Sequence, residues 1–263
     1  KIIPNENFIV VTNRRYKELV LEHIPELDES QILCEPIGRN TAPCIAYAAY
    51  TLKQKCANAE MIVTPADHMI LNESEFLSIV DNSLKFIAEH RVLMTIGINP
   101  TRPETGYGYI QRTSAERISA VKCFTEKPNR EMAQTFLDCG EFLWNSGIFI
   151  WRLQDIVEAI EKHLPEHSAL FASIEGDLGT EREEEAIKRV FSECKPISID
   201  YGVMERADNV YVHSGDFGWS DVGSFDALQA LCEADENGNV LFGKQIHIDT
   251  HNCISYAKSK LIA

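Results

Sequence analysis

Met61–Ile98 reads MIVTPADHMILNESEFLSIVDNSLKFIAEHRVLMTIGI, and its periodicity decides the fold. Met61–Thr64 is a short β-branched run that reads as a buried strand and passes straight into Pro65-Ala66-Asp67-His68. Phe76–His90 puts Phe76, Ile79, Val80, Leu84 and Ile87 on one helical face. Val92–Ile98 is the next strand. Outward from this unit the alternation continues. Phe8–Thr12 and Gln31–Cys34 read as strands and Tyr16–His23 as a helix. Thr41–Ala57 reads as an alanine-rich helix, with Asn40 or Thr41 as N-cap and Pro43 in its first turn. Downstream, Tyr107–Gln111, Val121–Thr125 and Gly147–Trp151 are strand-like, with no long helix between the first two, which predicts antiparallel additions. Arg130–Cys139, Leu153–His163 and Glu181–Cys194 read as helices, Asn209–Ser214 as a strand and Ser224–Leu231 as a short helix. The expected fold class is α/β, a mixed, mostly parallel sheet with helices on both faces. Past Asn237-Gly238-Asn239, Gln245–Asp249 and Cys253–Ala257 alternate like strands. A boundary is therefore expected near residue 235, dividing 1–235 from the start of a β segment at 236–263.

Composition narrows the function classes. The 263 residues are 44% hydrophobic and 25% charged, ordinary values for one large domain or two small ones. No apolar run approaches the ~18–20 residues of a membrane helix, and no basic-plus-apolar leader opens the chain, so the reading is cytoplasmic with no membrane partner. A formal net charge of −15 without a basic cluster argues against nucleic acid. It leaves a nucleotide ligand open, because a few local donors and a divalent cation hold phosphates against an acidic background. Eight scattered cysteines without CxxC read as reduced, mostly buried thiols, and eight histidines without HxxxH or HExxH spacing give no zinc signature. The chain opens Lys-Ile-Ile-Pro and enters a strand-like run at once, as a piece of a longer protein would. Self-association is left open.

Several short motifs could carry chemistry. Asp67 lies just past a strand end and Asp221, in GWSDVG, follows another through a glycine-rich turn. Two carboxylates on strand-end loops suit Mg2+, which takes hard oxygen ligands and completes its shell with substrate phosphates. Either alone reads more readily as a cap of a helix or turn. Gly106 and Gly108, flanking Tyr107, let backbone approach a ligand, or make an ordinary tight turn. Glu126 and Lys127 end a strand as an acid beside a base, suited to sugar hydroxyls and a phosphate if a loop conformation turns both one way. The Asn145 amide can donate to and accept from vicinal hydroxyls, or simply serve a turn before the apolar strand. Gly38-Arg39-Asn40-Thr41 leads into a helix N-terminus, which favours anions.

In order, IVVTN, EPIGRNTAP, PADH, GINPTRPETGYGYI, FTEKPN, WNSGIFIW, SIDYGVME and WSDVGSF resemble the nucleotide-sugar pyrophosphorylases, most closely the bacterial mannose-1-phosphate guanylyltransferases, over nearly the whole chain. GRNTAP and WNSGIF point to the guanylyl branch. The resemblance implies a fold of nucleotide-diphospho-sugar transferase type. It implies nucleotidyl transfer from GTP to mannose 1-phosphate, giving GDP-mannose and pyrophosphate by in-line, metal-assisted displacement with Mg2+. Asp67 and Asp221 match the metal-binding aspartates and, with Lys127, make up the catalytic set. Gly106, Glu126, Lys127 and Asn145 match positions that hold the hexose and its phosphate, with Tyr107 beside them. Gly38, Arg39, Asn40 and Thr41 match the segment near the guanine base, and Asp200 and Tyr201 a motif of open role. The family's glycine-rich phosphate loop and first strand do not occur in these residues, so this chain alone is expected not to make GDP-mannose. The alternatives are another sugar-1-phosphate nucleotidyltransferase or a non-catalytic sugar-nucleotide-binding protein.

Overall fold

The computed structural model describes residues 3–125, 127–223 and 225–262, so Glu126 and Ser224 lie outside the described residues. The chain forms two compact units, one of residues 1–64 with 74–216 and one of 65–73 with 217–263. The division thus falls at Phe217 rather than near residue 235, and the segment after the third strand joins the C-terminal part.

In the larger unit the chain runs through β1 (Val10–Asn13), α1 (Lys17–His23), β2 (Ile32–Glu35), α2 (Thr41–Lys55) and β3 (Glu60–Val63). It then leaves for β4 (Met69–Ile70) in the smaller unit. It returns through α3 (Glu73–Glu89), β5 (Leu93–Ile98), β6 (Tyr109–Arg112), β7 (Ile118–Thr125), α4 (Arg130–Cys139) and β8 (Phe142–Arg152). The rest of this unit is α5 (Leu153–His163), α6 (Pro165–Ala172), α7 (Glu183–Glu193) and β9 (Val210–Gly215). β1 and β2 pair in parallel. The other strands form a six-stranded sheet in the order β3-β8-β5-β9-β7-β6. Four of the six, β3, β5, β9 and β6, run one way, with β8 and β7 opposed and interleaved. The expected shared direction is present, yet only β5 and β9 are direct parallel neighbours within that sheet. β8 also pairs with β6, so the ladder β8-β5-β9-β7-β6 closes on itself.

Helices cover both faces, as alternation along β9 shows. Val210 and Val212 face one way, Val210 into the core beneath α2, α5, α6 and α7. Tyr211 and His213 face the other way onto α3, where Phe86 meets Tyr211 and Ser83 Oγ lies 2.9 Å from His213 Nδ1. On α3 the expected stripe is the buried one, with Ile79, Val80, Ser83 and Ile87 enclosed. The main core centres on Trp151, Tyr50, Phe171 and Phe191, each fully enclosed, with Tyr50 stacked on Phe171 at 5.8 Å. Burying each such side chain stabilises the fold by roughly 1.5–3 kcal/mol. All eight cysteines are free thiols. Cys56, Cys123, Cys139 and Cys253 are exposed, however, against the expectation of mostly buried ones.

β8 departs most from the sequence reading. The strand expected to start at Gly147 starts at Phe142, so WNSG, where a turn was the alternative reading of Asn145, is interior to an eleven-residue strand. Between the antiparallel pairs Thr95–Phe149 and Gly97–Asn145, β8 uses more residues than β5, so β8 carries a bulge. Gly147 takes a φ of 71°, and Ser146 Oγ closes the bulge by donating to Ile96 O at 2.6 Å. The polar Asn-Ser-Gly interrupts the apolar run without ending the strand.

The smaller unit contains β4 with β10 (Trp219–Ser220), which are antiparallel, then α8 (Phe225–Leu231) and the parallel pair β11 (Val240–Gln245) and β12 (Ile254–Ile262). β11 begins earlier than expected, and Asn239, buried at the rung's start, donates to Asp235 and to Thr250 O and accepts from Cys253 N.

Inside the closed ladder a methyl group on Gly97 would lie 2.7 Å from both Leu143 Cδ1 and Val212 Cγ2. Gly97→Ala is expected to destabilise the protein by about 1–3 kcal/mol through overpacking. Gly176→Ala, with open space around the added methyl, should be neutral or stabilising. Denaturant midpoints for the two variants measure this, and equal midpoints would refute the packing argument.

Candidate active site

The start of α2 sets the geometry. A helix N-terminus presents N–H groups without intrahelical acceptors. Asn40 takes a left-handed φ of 70° and caps the helix through Oδ1, which accepts from Thr41 N at 2.8 Å. Ala42 N finds Ile197 O at 3.1 Å, Ile197 N finds Arg39 O at 3.2 Å, and Thr41 Oγ1 accepts from Ile199 N at 2.9 Å. Arg39 turns its guanidinium to the end of α7, donating from Nε to Phe191 O at 2.8 Å and from Nη2 to Ser192 O at 3.3 Å. GRNT is thereby laced to Ile197–Ile199. Arg39 and Thr41, both read as substrate contacts, serve that lacing.

Against this frame lies a cavity of about 550 Å³ lined by Asn40, Lys127, Ser198, Asp200 and Tyr201. Asp200 opens a π-helical turn, Asp200–Met204, a distortion that often marks functional positions. Burial raises the Asp200 carboxyl above its ordinary range, and the Asn145 hydrogen bond works against that rise. Asn145 Nδ2 donates to Asp200 Oδ1 at 2.7 Å, while Asn145 Oδ1 accepts from Gly147 N at 3.2 Å and Thr95 Oγ1 at 3.4 Å. The β8 bulge therefore fixes the amide with its donor side on Asp200. Lys127 lies beyond the end of β7 with a φ of 34°, an uncommon backbone conformation for a non-glycine residue.

TGYGYI turns beside this strand. Gly106 N and Thr105 N both donate to Glu104 Oε1 at 3.0 Å, and Arg102 pairs with the other oxygen. Tyr107 is buried edge-on against Trp144 at 5.2 Å. Its ring is a wall for that turn rather than a free contact.

Asp67 and Asp221 fall in the smaller unit, at one end of the β4–β10 ribbon. Trp219 pairs with Ile70 and Ser220 with Met69, so one further step brings Asp221 opposite His68. Both carboxylates act on the His68 imidazole, raising a pKa that burial lowers more strongly. Trp219 Nε1 donates to His68 Nδ1 at 3.2 Å, which ties His68 into the ribbon. Two carboxylates converging on one ribbon end fit a hard divalent cation with most of its shell left for water and phosphate. Among the described residues no group of three or more His, Cys, Asp or Glu could hold a metal by itself.

A family model for nucleotidyl transferases matches residues 5–238. The chain belongs to the nucleotidyl transferase family. Similar proteins include mannose-1-phosphate guanylyltransferases of Salmonella montevideo, 39% identical over 97% of this chain and 55% of the relative, and of Escherichia coli K12, 37% identical over 98% and 56%. The Xanthomonas campestris protein XanB of xanthan biosynthesis is 38% identical over 97% and 55%. The chain thus spans a little over half the length of these curated relatives. A crystal structure from Thermus thermophilus, described as mannose-1-phosphate geranyltransferase, superposes with a TM-score of 0.88 at 29% identity, covering 99% of this chain and 75% of that one. A Helicobacter pylori structure described as mannose-6-phosphate isomerase shares the fold, with a TM-score of 0.70 at 24% identity over 82% and 84%. The α/β class read from the periodicity is the class of this family.

Two groups escaped the sequence reading. Ser198 reaches the cavity from SIDYGVME, where only Asp200 and Tyr201 stood out. Glu35 ends β2 with Oε1 buried and, among the described residues, without a hydrogen-bond partner. The signal was an acid closing an apolar strand just before a proline.

Burial raises the Glu35 pKa from 4.5 to about 7, offset in part by a hydrogen bond with Cys44. The folded chain holds this proton more tightly than the unfolded chain does. The contribution is full below about pH 4.5 and is lost as pH rises through about 7. Glu35→Gln should remove that decline, so the stability difference between variant and wild type should grow from about pH 5 to about pH 8. Urea unfolding across this range measures it, and parallel profiles would sink the assignment.

Proposed function

We propose that this chain carries the hexose- and metal-binding parts of a sugar-1-phosphate nucleotidyltransferase, with mannose 1-phosphate and GTP as substrates and GDP-mannose and pyrophosphate as products. The observation that carries the reading is the joint presence in one cavity of Lys127 and of Asp200 held by Asn145. A carboxylate and an amide offer acceptors and a donor to sugar hydroxyls, and an ammonium answers a phosphate. Glu126, beside Lys127, is assigned to the same hexose. Likeness to the mannose-1-phosphate guanylyltransferases of Salmonella montevideo and Escherichia coli supports mannose and guanine over other sugars and bases.

Asp67 and Asp221 would hold Mg2+. When bound, that ion neutralises phosphate charge and so eases phosphoryl transfer. The protein's own part is positioning. Lys127 holds the sugar phosphate, and the Asn145–Asp200 pair fixes the hexose, so that the phosphate oxygen is presented in line. A GTP-dependent reaction of this kind fits a cytoplasmic setting.

Titration calorimetry with GDP-mannose and magnesium tests the reading, alongside pyrophosphate release from GTP and mannose 1-phosphate. GDP-mannose is expected to bind more tightly than UDP-glucose. Asn145→Ala should weaken GDP-mannose by roughly tenfold or more, because a buried hydroxyl partner is left unmade. Equal affinities for the two nucleotide sugars would overturn the proposal.

A further inference from the structure

We infer that the cavity between α3 and the β7–β9 ladder is a second binding site, one that takes a monophosphorylated sugar. Its volume is about 350 Å³, and it shares no lining residue with the cavity at Lys127. It lies on the α3 face of the sheet, opposite the core beneath α2, α5, α6 and α7. The inference does not depend on the nucleotidyltransferase reading.

The deciding group is His213 on β9, which lines this cavity and is only 1% exposed. Ser83 Oγ donates its one hydrogen to Ile79 O at 2.8 Å. At 2.9 Å from His213 Nδ1 that hydroxyl can therefore only accept, and Nδ1 carries the ring proton. Burial, reinforced by the nearby Arg117, pushes the imidazole pKa down to about 4, so the ring is neutral at physiological pH. Nε2 is then a bare acceptor, and among the described residues it has no hydrogen-bond partner. A ligand hydroxyl that reaches it makes the missing bond.

The rest of the lining names the ligand. Asn82, Lys85, Phe86 and Glu89 recur at the spacing that puts them on one face of α3. Ile118 is the register partner of His213, so the two side chains point the same way off the ladder. Lys85 and Arg117 bring two cations, which suit a phosphate. They pair with Asp81 and Glu75 in exposed ion pairs, which exchange partners at little cost. The Glu89 carboxylate beside them disfavours a second anionic group. It joins His213 Nε2 as an acceptor for hydroxyls, and the Asn82 amide both donates and accepts. Phe86 and Ile118 supply apolar surface for the C–H groups of a sugar ring. Inorganic phosphate would use the cations alone and leave Nε2 unfilled. A neutral sugar would leave the cations unused.

The test uses glucose 6-phosphate as the probe, with inorganic phosphate and glucose beside it. In titration calorimetry glucose 6-phosphate is expected to bind this chain at least about tenfold more tightly than either of the other two. In nitrogen-15 spectra of the histidine rings it should move the His213 Nε2 resonance upfield, as a bare nitrogen does when it accepts a hydrogen bond, a readout that needs no variant. Exchanging both cations, Lys85→Gln with Arg117→Gln, alters only exposed side chains. It should weaken glucose 6-phosphate by roughly tenfold or more and leave GDP-mannose binding unchanged. An unmoved Nε2 resonance at saturating glucose 6-phosphate overturns the assignment, and so does undiminished binding by the double variant. Phosphate binding as tightly as glucose 6-phosphate overturns the sugar and leaves only an anion site. Loss of GDP-mannose binding in the wild type would remove the nucleotidyltransferase reading and leave this site standing.

Discussion

The free N–H groups at the start of α2 are the constraint on which the site depends. Ala42 is buried there, so its N–H must find an acceptor inside the protein. Asn40 provides one, and the main chain of Ile197 provides another. Once Ala42 N is bound to Ile197 O, the segment through Ser198, Asp200 and Tyr201 can lie nowhere but beside the cap. The cavity is the space left in front of that junction. Arg39 extends the same lacing to α7, which couples a distant helix to the loop without touching a ligand.

Two carboxyl groups, Asp200 in the cavity lining and Glu35 at the end of β2, share a second feature. Glu35 and Asp200 are both shifted by burial toward the protonated form, and no cation is among the causes of either shift. Such a group is destabilised as a charge until something donates to it. For Asp200 the Asn145 amide supplies part of that donation and for Glu35 the Cys44 thiol does, which leaves acceptor capacity on both. This is preorganisation of an acceptor surface, and it suits ligands rich in hydroxyl and N–H groups better than ligands recognised by charge alone.

Legibility in the sequence followed the range of the interactions. α4 and α5 are bounded as the periodicity of Arg130–Cys139 and Leu153–His163 indicates, because caps and one apolar face are local signals. The stripe on α3 was readable for the same reason. β8 was not, since its continuation through Asn145-Ser146-Gly147 depends on ladders with β5 and β6, and the polar residues there belong to a bulge that only pairing reveals. The direction of the sheet was half legible. Crossover helices indicate which strands run together, but not that β8 inserts between β3 and β5. In the site, motif order pointed to Asn145, Lys127 and Asp200. It could not foresee that Arg39 is committed to α7, a contact across a long sequence separation. Glu35 went unread because an unpartnered oxygen is a property of packing, invisible until its surroundings are known.

The closure of the ladder through β8, β5, β9, β7 and β6 bears on how this unit comes apart in time. A sheet with free edges can lose its outermost strand by unzipping one row of hydrogen bonds. A ring has no terminal strand, and removing any member breaks two rows together, with Leu143, Val212 and Ile110 exposed in the same event. Opening there has the character of a concerted rupture with a high barrier. The β1–β2 pair, open along its sides, can fray in small steps. Asn145 is part of the closed ring, so the amide that orients Asp200 sits in the slowest-opening part of the ladder.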